Sequence, residues 1–361
     1  MRALLTSLLQ AIAPALSLQP PAEKRPPTPE PEPEPEPVDY QARLAQETGR
    51  FAEEIDVNAL PEIFHYWSNR YIRPLLESFG YSHPEDFYAR TILQHASRST
   101  APMRILSIGA GNCDAEVRIA SALRAAGLTR YTLECLDLTE AMLERGRQMA
   151  VDHGVQAHFA YTCADFNRWV PAHGYDVVIA NQSLHHVVAL EHLFDAISEA
   201  IGQHGIFASS DMIGRNGHQR WPEALAILQT FWAELPDRYR YNVQLRRWET
   251  EFMDWDCASE GFEGIRAQDI LPLLIERFGF QLFIAFGNVI TPLVDRSFGH
   301  HFDASAAWDR DFIDRVHARD QAEIEAGRIS PTHMLAVMSN DRRAQPRVYQ
   351  HLTPQFCLRR G

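Results

Sequence analysis

The run Ile105-Leu-Ser-Ile-Gly109-Ala-Gly111-Asn-Cys113-Asp114 reads as a strand that breaks into a glycine turn and continues as a helix. Gly109 and Gly111 permit a tight turn and a close backbone approach that a β-carbon would block. The start of the following helix offers unpaired N–H groups to a polar ligand group. Paired glycines after a strand also occur in ordinary turns, so the turn gains weight from its neighbours. Leu133-Glu-Cys-Leu-Asp137-Leu-Thr139 is a second strand ending in an acid, and a carboxylate there can accept both hydroxyl hydrogens of a ribose. Asp137 could instead cap the next helix, a job for which Thr139 is also available. A third strand ends at Ala164-Asp165-Phe166. Asp165 can accept from an adenine amino group, and Phe166 can offer the ring an apolar face. The fourth element, Tyr175-Asp-Val-Val-Ile-Ala-Asn181-Gln182-Ser-Leu-His185-His186-Val, is a central apolar strand. Its polar end falls at the carboxyl edge, where ligands bind in such sheets.

Those strand ends presuppose a sheet. Apolar runs at Arg104–Ile108, Tyr131–Leu136, Ala157–Cys163, Asp176–Ala180, Gly205–Ser209, Phe280–Phe286 and His333–Met338 alternate with amphipathic stretches such as Ala115–Ala125 and Glu140–His153. That rhythm predicts an α/β fold, a doubly wound, Rossmann-like seven-stranded sheet with an N-terminal helical segment and a helical insertion. Residues 39–102 form the helical cap: Ile63, Phe64, Trp67, Tyr71, Ile72, Leu75 and Leu76 recur at three- and four-residue steps, Gly80 ends that helix, and Ser82-His83-Pro84-Glu85 starts another. Residues 103–340 form the main domain. Within it, 215–265 is longer than an ordinary connection and carries two aromatic stripes, Trp221/Leu225/Leu228/Trp232/Leu235 and Trp248/Phe252/Trp255. Such stripes read first as helix core and second as a cover over the strand ends. Residues 341–361 are left as a C-terminal tail.

The 361 residues are 45% apolar and 22% charged, ordinary for a globular protein. A net charge of -13 argues against nucleic acid as a partner, because wrapping it needs a basic surface. Five widely spaced cysteines without a CxxC pair suggest neither a disulfide framework nor a zinc knuckle, and a cytoplasmic location is the simplest expectation. Met1 to Leu18 is apolar, too short and broken to span a bilayer, and lacks a clean cleavage site. Leu4, Leu5, Leu8, Leu9 and Ile12 share one helical face suited to docking on a partner or a membrane surface. Residues 20–38 alternate proline with glutamate and predict a disordered, solvated spacer.

The set Leu106-Ser-Ile-Gly-Ala-Gly, Leu136-Asp-Leu-Thr with Met142-Leu143, Ala164-Asp165 and Asp176-Val-Val-Ile-Ala-Asn resembles the class I S-adenosylmethionine-dependent methyltransferases, most clearly from Met103 to Ile213. The resemblance implies S-adenosylmethionine as cofactor. It also implies that Gly109 and Gly111 flank the methionine and ribose, Asp137 holds the ribose hydroxyls, Asp165 meets the adenine amino group, Phe166 lies against the ring, and Asn181 and Gln182 line the pocket near the sulfonium. Two positions depart from the family pattern. Ser107 stands where an acid is common, which leaves open the contact to the methionine amino group. Cys113 stands where a third glycine is common. A nicotinamide-binding oxidoreductase is the rival, though it wants a small residue where Glu116 stands; an inactive cofactor-binding scaffold is the alternative from another class.

Methyl transfer from a sulfonium is an in-line displacement, so most is gained by fixing the acceptor and excluding water. An alcohol acceptor also needs a base. That singles out Asp211, His218 and His186, with His185 beside them, each of which could equally be a turn cap or a buried ring. The expected reaction is O-methylation of a small polar acceptor, such as a sugar. An Asp211-steered His218 would be the base, His186 the reserve, and Arg215 the group that orients an anionic part of the acceptor. No metal is expected, because His185-His186 and His300-His301 lack ligand spacing.

Overall fold

The computed structural model describes Tyr40, Arg43, Leu44, Gly49 and residues 60–98, 101–259 and 261–359. The apolar start of the chain and the proline–glutamate spacer lie outside the described residues.

Strands β1 (Met103–Ile108), β2 (Tyr131–Asp137), β3 (Phe159–Cys163), β4 (Val177–Asn181), β5 (Ile206–Met212), β8 (Gly279–Phe286), β9 (His333–Ser339) and β10 (Arg347–Val348) form one sheet in the order β10-β8-β9-β5-β4-β1-β2-β3. Of these, β9 alone runs against the rest, antiparallel to both β5 and β8. The order reverses between β1 and β4, which places the carboxyl ends of β1, β2, β4 and β5 along a single crevice. The central strands are buried on both faces, so they read as continuous apolar runs. In β4, Val177 and Ile179 face one core layer and Val178 and Ala180 the other.

Helices α3 (Pro84–Ala96), α4 (Asp114–Ala125) and α5 (Glu140–Asp152) cover the first face through Phe87, Val117 and Leu143. The short α2 (Arg73–Ser78) joins that first face through Leu76, whereas the second face is covered by α6 (Leu190–Ile201), α7 (Pro222–Glu234), α8 (Ala267–Arg277) and α10 (Ala307–Glu325), with the shorter α1 (Glu62–Trp67) and α9 (Thr291–Val294) nearby. Helix α6 buries Leu190, Leu193, Phe194, Ile197 and Ile201, three or four residues apart. Removing one such ring, as in Phe194→Ala, costs roughly 3–5 kcal/mol. Helix α3 starts as its sequence predicts: Pro84 follows the cap residue His83, whose ring accepts the Asp86 N–H at 3.2 Å.

Two expectations are corrected. The C-terminal tail, 341–361, packs on the main domain. Its strand β10 adds an eighth member to the sheet beside β8, and Leu352 and Cys357, the latter in α11 (Pro354–Cys357), are buried. In the insertion, only the first stripe is helical. Trp232, Leu228 and Leu235 are core residues of α7 or its end, whereas Trp248 belongs to the two-stranded hairpin β6 (Tyr241–Asn242)/β7 (Arg247–Trp248) and is 62% exposed. Residues 249–256 take no helix: the Met253 N–H goes to the Glu249 side chain, the Phe252 N–H to Gln229, and the Glu249 N–H to the Arg240 carbonyl. Among the described residues, no helix is long and apolar enough to cross a membrane.

Candidate active site

The glycine turn after β1 takes left-handed backbone at Gly109 (φ 68°), Gly111 (φ 54°) and Cys113 (φ 59°). A Cβ on Gly109 would stand 2.5 Å from the Ser183 Cβ, so glycine is required there by contact as well as by backbone. Ser183 in turn donates to the Ile108 carbonyl at 2.8 Å and locks the β4 loop to the β1 turn. Asp137, at the end of β2, accepts the Gly111 N–H on Oδ2 (2.8 Å) and the Thr139 N–H on Oδ1 (2.9 Å). Both oxygens keep a lone pair for a ribose hydroxyl, and the bare turn leaves the backbone open to approach. These residues therefore fit the nucleoside end of S-adenosylmethionine. Burial raises the Asp137 carboxyl, against the pull of its backbone donors.

Ser107, which stands where the family commonly has an acid, donates its hydroxyl to Glu116 of α4 at 2.7 Å. Burial pushes the Glu116 carboxyl up to about 7. Asp165 accepts the Asn167 N–H at 2.9 Å and the Tyr40 hydroxyl at 2.7 Å, so Tyr40 shares the carboxylate assigned to adenine. Phe166 is 5% exposed and belongs to the core with Trp169 and Leu184. Phe166 opens the short helical turn Phe166–Arg168. Asn181 is oriented by Tyr88, whose hydroxyl donates to it at 3.2 Å and accepts the Ser210 N–H. Gln182 (φ 53°) is exposed and donates to the Ser210 carbonyl and hydroxyl.

Beyond β4 and β5 the histidines converge, with a pairing different from the expected one. Asp211 is fully buried and accepts from His185 Nδ1 (2.7 Å) and from the N–H groups of Ser183, Leu184 and Met212. It holds His185 and the loop before it, and does not steer His218. Burial alone would raise Asp211, yet His185 and the backbone donors hold it below the usual carboxylate range. Burial likewise works against a charged His185 ring, but Asp211 and Glu263 lift it to about 10. His218 bonds instead to Glu263, Nε2 to Oε1, at 2.7 Å; burial pushes this imidazole down. Against burial, His185 and His218 hold Glu263 well below its ordinary value. His185 and His186 each reach the same carboxylate, at 3.5 Å.

Glu263 was not singled out from sequence. It sits in Gly261-Phe-Glu263-Gly264, and only the flanking glycines hint at a turn. Gly264 (φ 71°) lets that turn meet the one at 216–218: a Cβ there would lie 3.0 Å from the His218 N, and the Gly264 carbonyl accepts the Gly217 N–H. The buried Arg220 clamps the same turn, donating to the carbonyls of His218 and Asn288 and to Thr291 Oγ1. Arg266 anchors the other side through a two-point pair with Glu191. Arg215 donates to the Arg220 carbonyl at 3.3 Å.

A Rossmann-like sheet with one reversed strand, a glycine turn after β1 and an acid closing β2 is the arrangement that the resemblance to class I methyltransferases implies. Residues 99–255 match the family model described as a methyltransferase domain, which supports reading that region as an S-adenosylmethionine-dependent methyltransferase domain. Among solved structures, the chain is similar to the geranyl diphosphate C-methyltransferase of Streptomyces coelicolor, at 11% identity and TM-score 0.43, covering 82% of this chain and 98% of that one. It is also similar to the O-methyltransferase of a trans-AT PKS multienzyme of Brevibacillus brevis, at 14% identity and TM-score 0.42, covering 84% and 88%. No curated protein matches the chain in sequence.

Proposed function

We propose that the enzyme methylates an oxygen of a small polar acceptor, such as a sugar hydroxyl, with His218 as the base and Glu263 holding it. The observation that carries this reading is the 2.7 Å contact between His218 Nε2 and Glu263, beside the loop that Ser183 ties to the cofactor turn. With Nε2–H donated to the carboxylate, Nδ1 is left as the basic nitrogen. When bound, the sulfonium supplies the methyl carbon: its S–C bond breaks as a C–O bond forms, and sulfur keeps the electron pair. Asp137 and the glycine turn hold the nucleoside, Asn181 and Gln182 line the sulfonium side, and His218 takes the hydroxyl proton. Asp211 acts only through His185, as a positioning residue, and His186 keeps its place as the reserve base. Arg215 orients an anionic part of the acceptor.

The test is a labelled-methyl screen against hydroxylated metabolites, with the product's bond identified by mass spectrometry and NMR. An O-methyl product is expected, with turnover falling ~10²–10⁴-fold in His218→Ala at unchanged S-adenosylhomocysteine affinity. A C- or N-methyl product, or near-normal turnover in that variant, overturns the assignment.

A further inference from the structure

We propose that His185, His186 and Glu263 bind a divalent transition-metal ion, with zinc as the reference species. His185 and His186 are adjacent in the chain, and the third ligand, Glu263, arrives from a separate turn. One ring nitrogen each of His185 and His186 and a carboxylate oxygen of Glu263 all lie within 4.8 Å of one another. Each histidine nitrogen stands 3.5 Å from a Glu263 oxygen. That is too long for a good N–H···O hydrogen bond, which falls near ~2.9 Å. It is the separation expected of two ligands sharing one ion: bonds of about 2.1 Å at a tetrahedral angle put ligand atoms about 3.4 Å apart.

The supports around the three ligands point the same way. His185 gives Nδ1 to Asp211 at 2.7 Å, which directs Nε2 at Glu263 and makes the carboxylate–histidine arrangement that orients metal-binding imidazoles. Asp211 cannot drift, because backbone N–H groups from Ser183, Leu184 and Met212 also hold it. Glu263 is held in turn by His218. The ligands are largely withdrawn from solvent, at 3%, 17% and 28% side-chain exposure. Two imidazoles and one carboxylate suit zinc, cobalt, nickel or iron better than magnesium or calcium. Three protein ligands leave open positions, as in sites where a metal holds a reacting group. A hydroxyl bound there would lose its proton more readily. That role rests on the O-methylation reading; the binding of the ion does not.

The experiment uses the full chain, stripped with a chelator and dialysed against zinc, then against cobalt. A single ion per chain is expected by elemental analysis, with visible ligand-field bands for cobalt and a higher thermal midpoint for zinc. His186→Ala and Glu263→Gln should abolish stoichiometric uptake, and Asp211→Asn should weaken it ~10–100-fold. His300→Ala, at an exposed position, should bind as wild type. S-adenosylhomocysteine binding reports whether each variant is folded; His186→Gln replaces any that is not. No uptake by the wild type above that of folded Glu263→Gln overturns the metal site. So does equal uptake by all variants. Methyl transfer by metal-free enzyme that takes up no ion would overturn the site while leaving the O-methylation reading standing.

Discussion

On the cofactor side of the crevice, Glu116 is buried with the Ser107 hydroxyl as its side-chain donor, and its carboxyl is pushed up to about 7. On the acceptor side, Asp211 is just as buried but takes an imidazole and three backbone N–H groups, and stays below the ordinary carboxylate range. Burial is the same; the donor set decides the charge. An acid with its pKa raised this far tolerates a region built from backbone and small side chains. An ionised one demands a network, and that network is what gathers His185, Glu263 and His218.

The contrast breaks most easily at Asp211. Asp211→Ala leaves His185 and several N–H groups without their buried partner, so urea unfolding should show a loss of ~3–5 kcal/mol. A loss under ~1 kcal/mol would mean that the network is not an anchor.

Glu116 carries the opposite sign. Its folded pKa lies above the ordinary 4.5. Its stabilising contribution is therefore complete below about 4.5 and lost as pH rises through about 7. The difference in unfolding free energy between wild type and Glu116→Gln should drift by roughly 3 kcal/mol across that window, favouring the variant at the alkaline end. A pH-independent difference would show that Glu116 is ionised after all.

Asp137 separates ligand affinity from stability. Asp137→Ala should weaken S-adenosylhomocysteine binding by ~1.5–3 kcal/mol in calorimetry, whereas His218→Ala should leave it near wild type. An unchanged affinity in folded Asp137→Ala would remove the ribose assignment.

The smallest expected effect is deletion of residues 1–38, which should change cofactor affinity and stability by less than about 0.5 kcal/mol. A truncated protein that loses its cofactor would place that segment in the binding function.

The cofactor side was legible because its chemistry is local. Gly109, Gly111 and Asp137 sit where strands end, and the apolar rhythm places strand ends. The acceptor side was legible only as a neighbourhood. Asp211, His185, His186 and His218 could be placed beyond β4 and β5, but which pairs form depends on how the turn at Gly264 meets the turn at Gly217, and no periodicity encodes that approach. Phe166 is ambiguous for a related reason: an aromatic after a strand reads alike whether its ring faces a ligand or the core. The stripe at Trp248, Phe252 and Trp255 matched helical spacing, yet the side-chain bonds of Gln229 and Glu249 hold that backbone out of a helix. For 341–361, a two-residue strand is too short to leave a pattern.

Cys113 occupies left-handed backbone that glycine would adopt freely, and its Sγ fills the space over Gly146 of α5, where a Cβ would lie 2.6 Å away. The two positions are thus one unit of volume shared between a turn and a helix. Across an alignment of relatives they should vary jointly, a glycine at the turn accompanying an alanine or serine in the helix. Independent drift at the two columns would show that the contact imposes no selection.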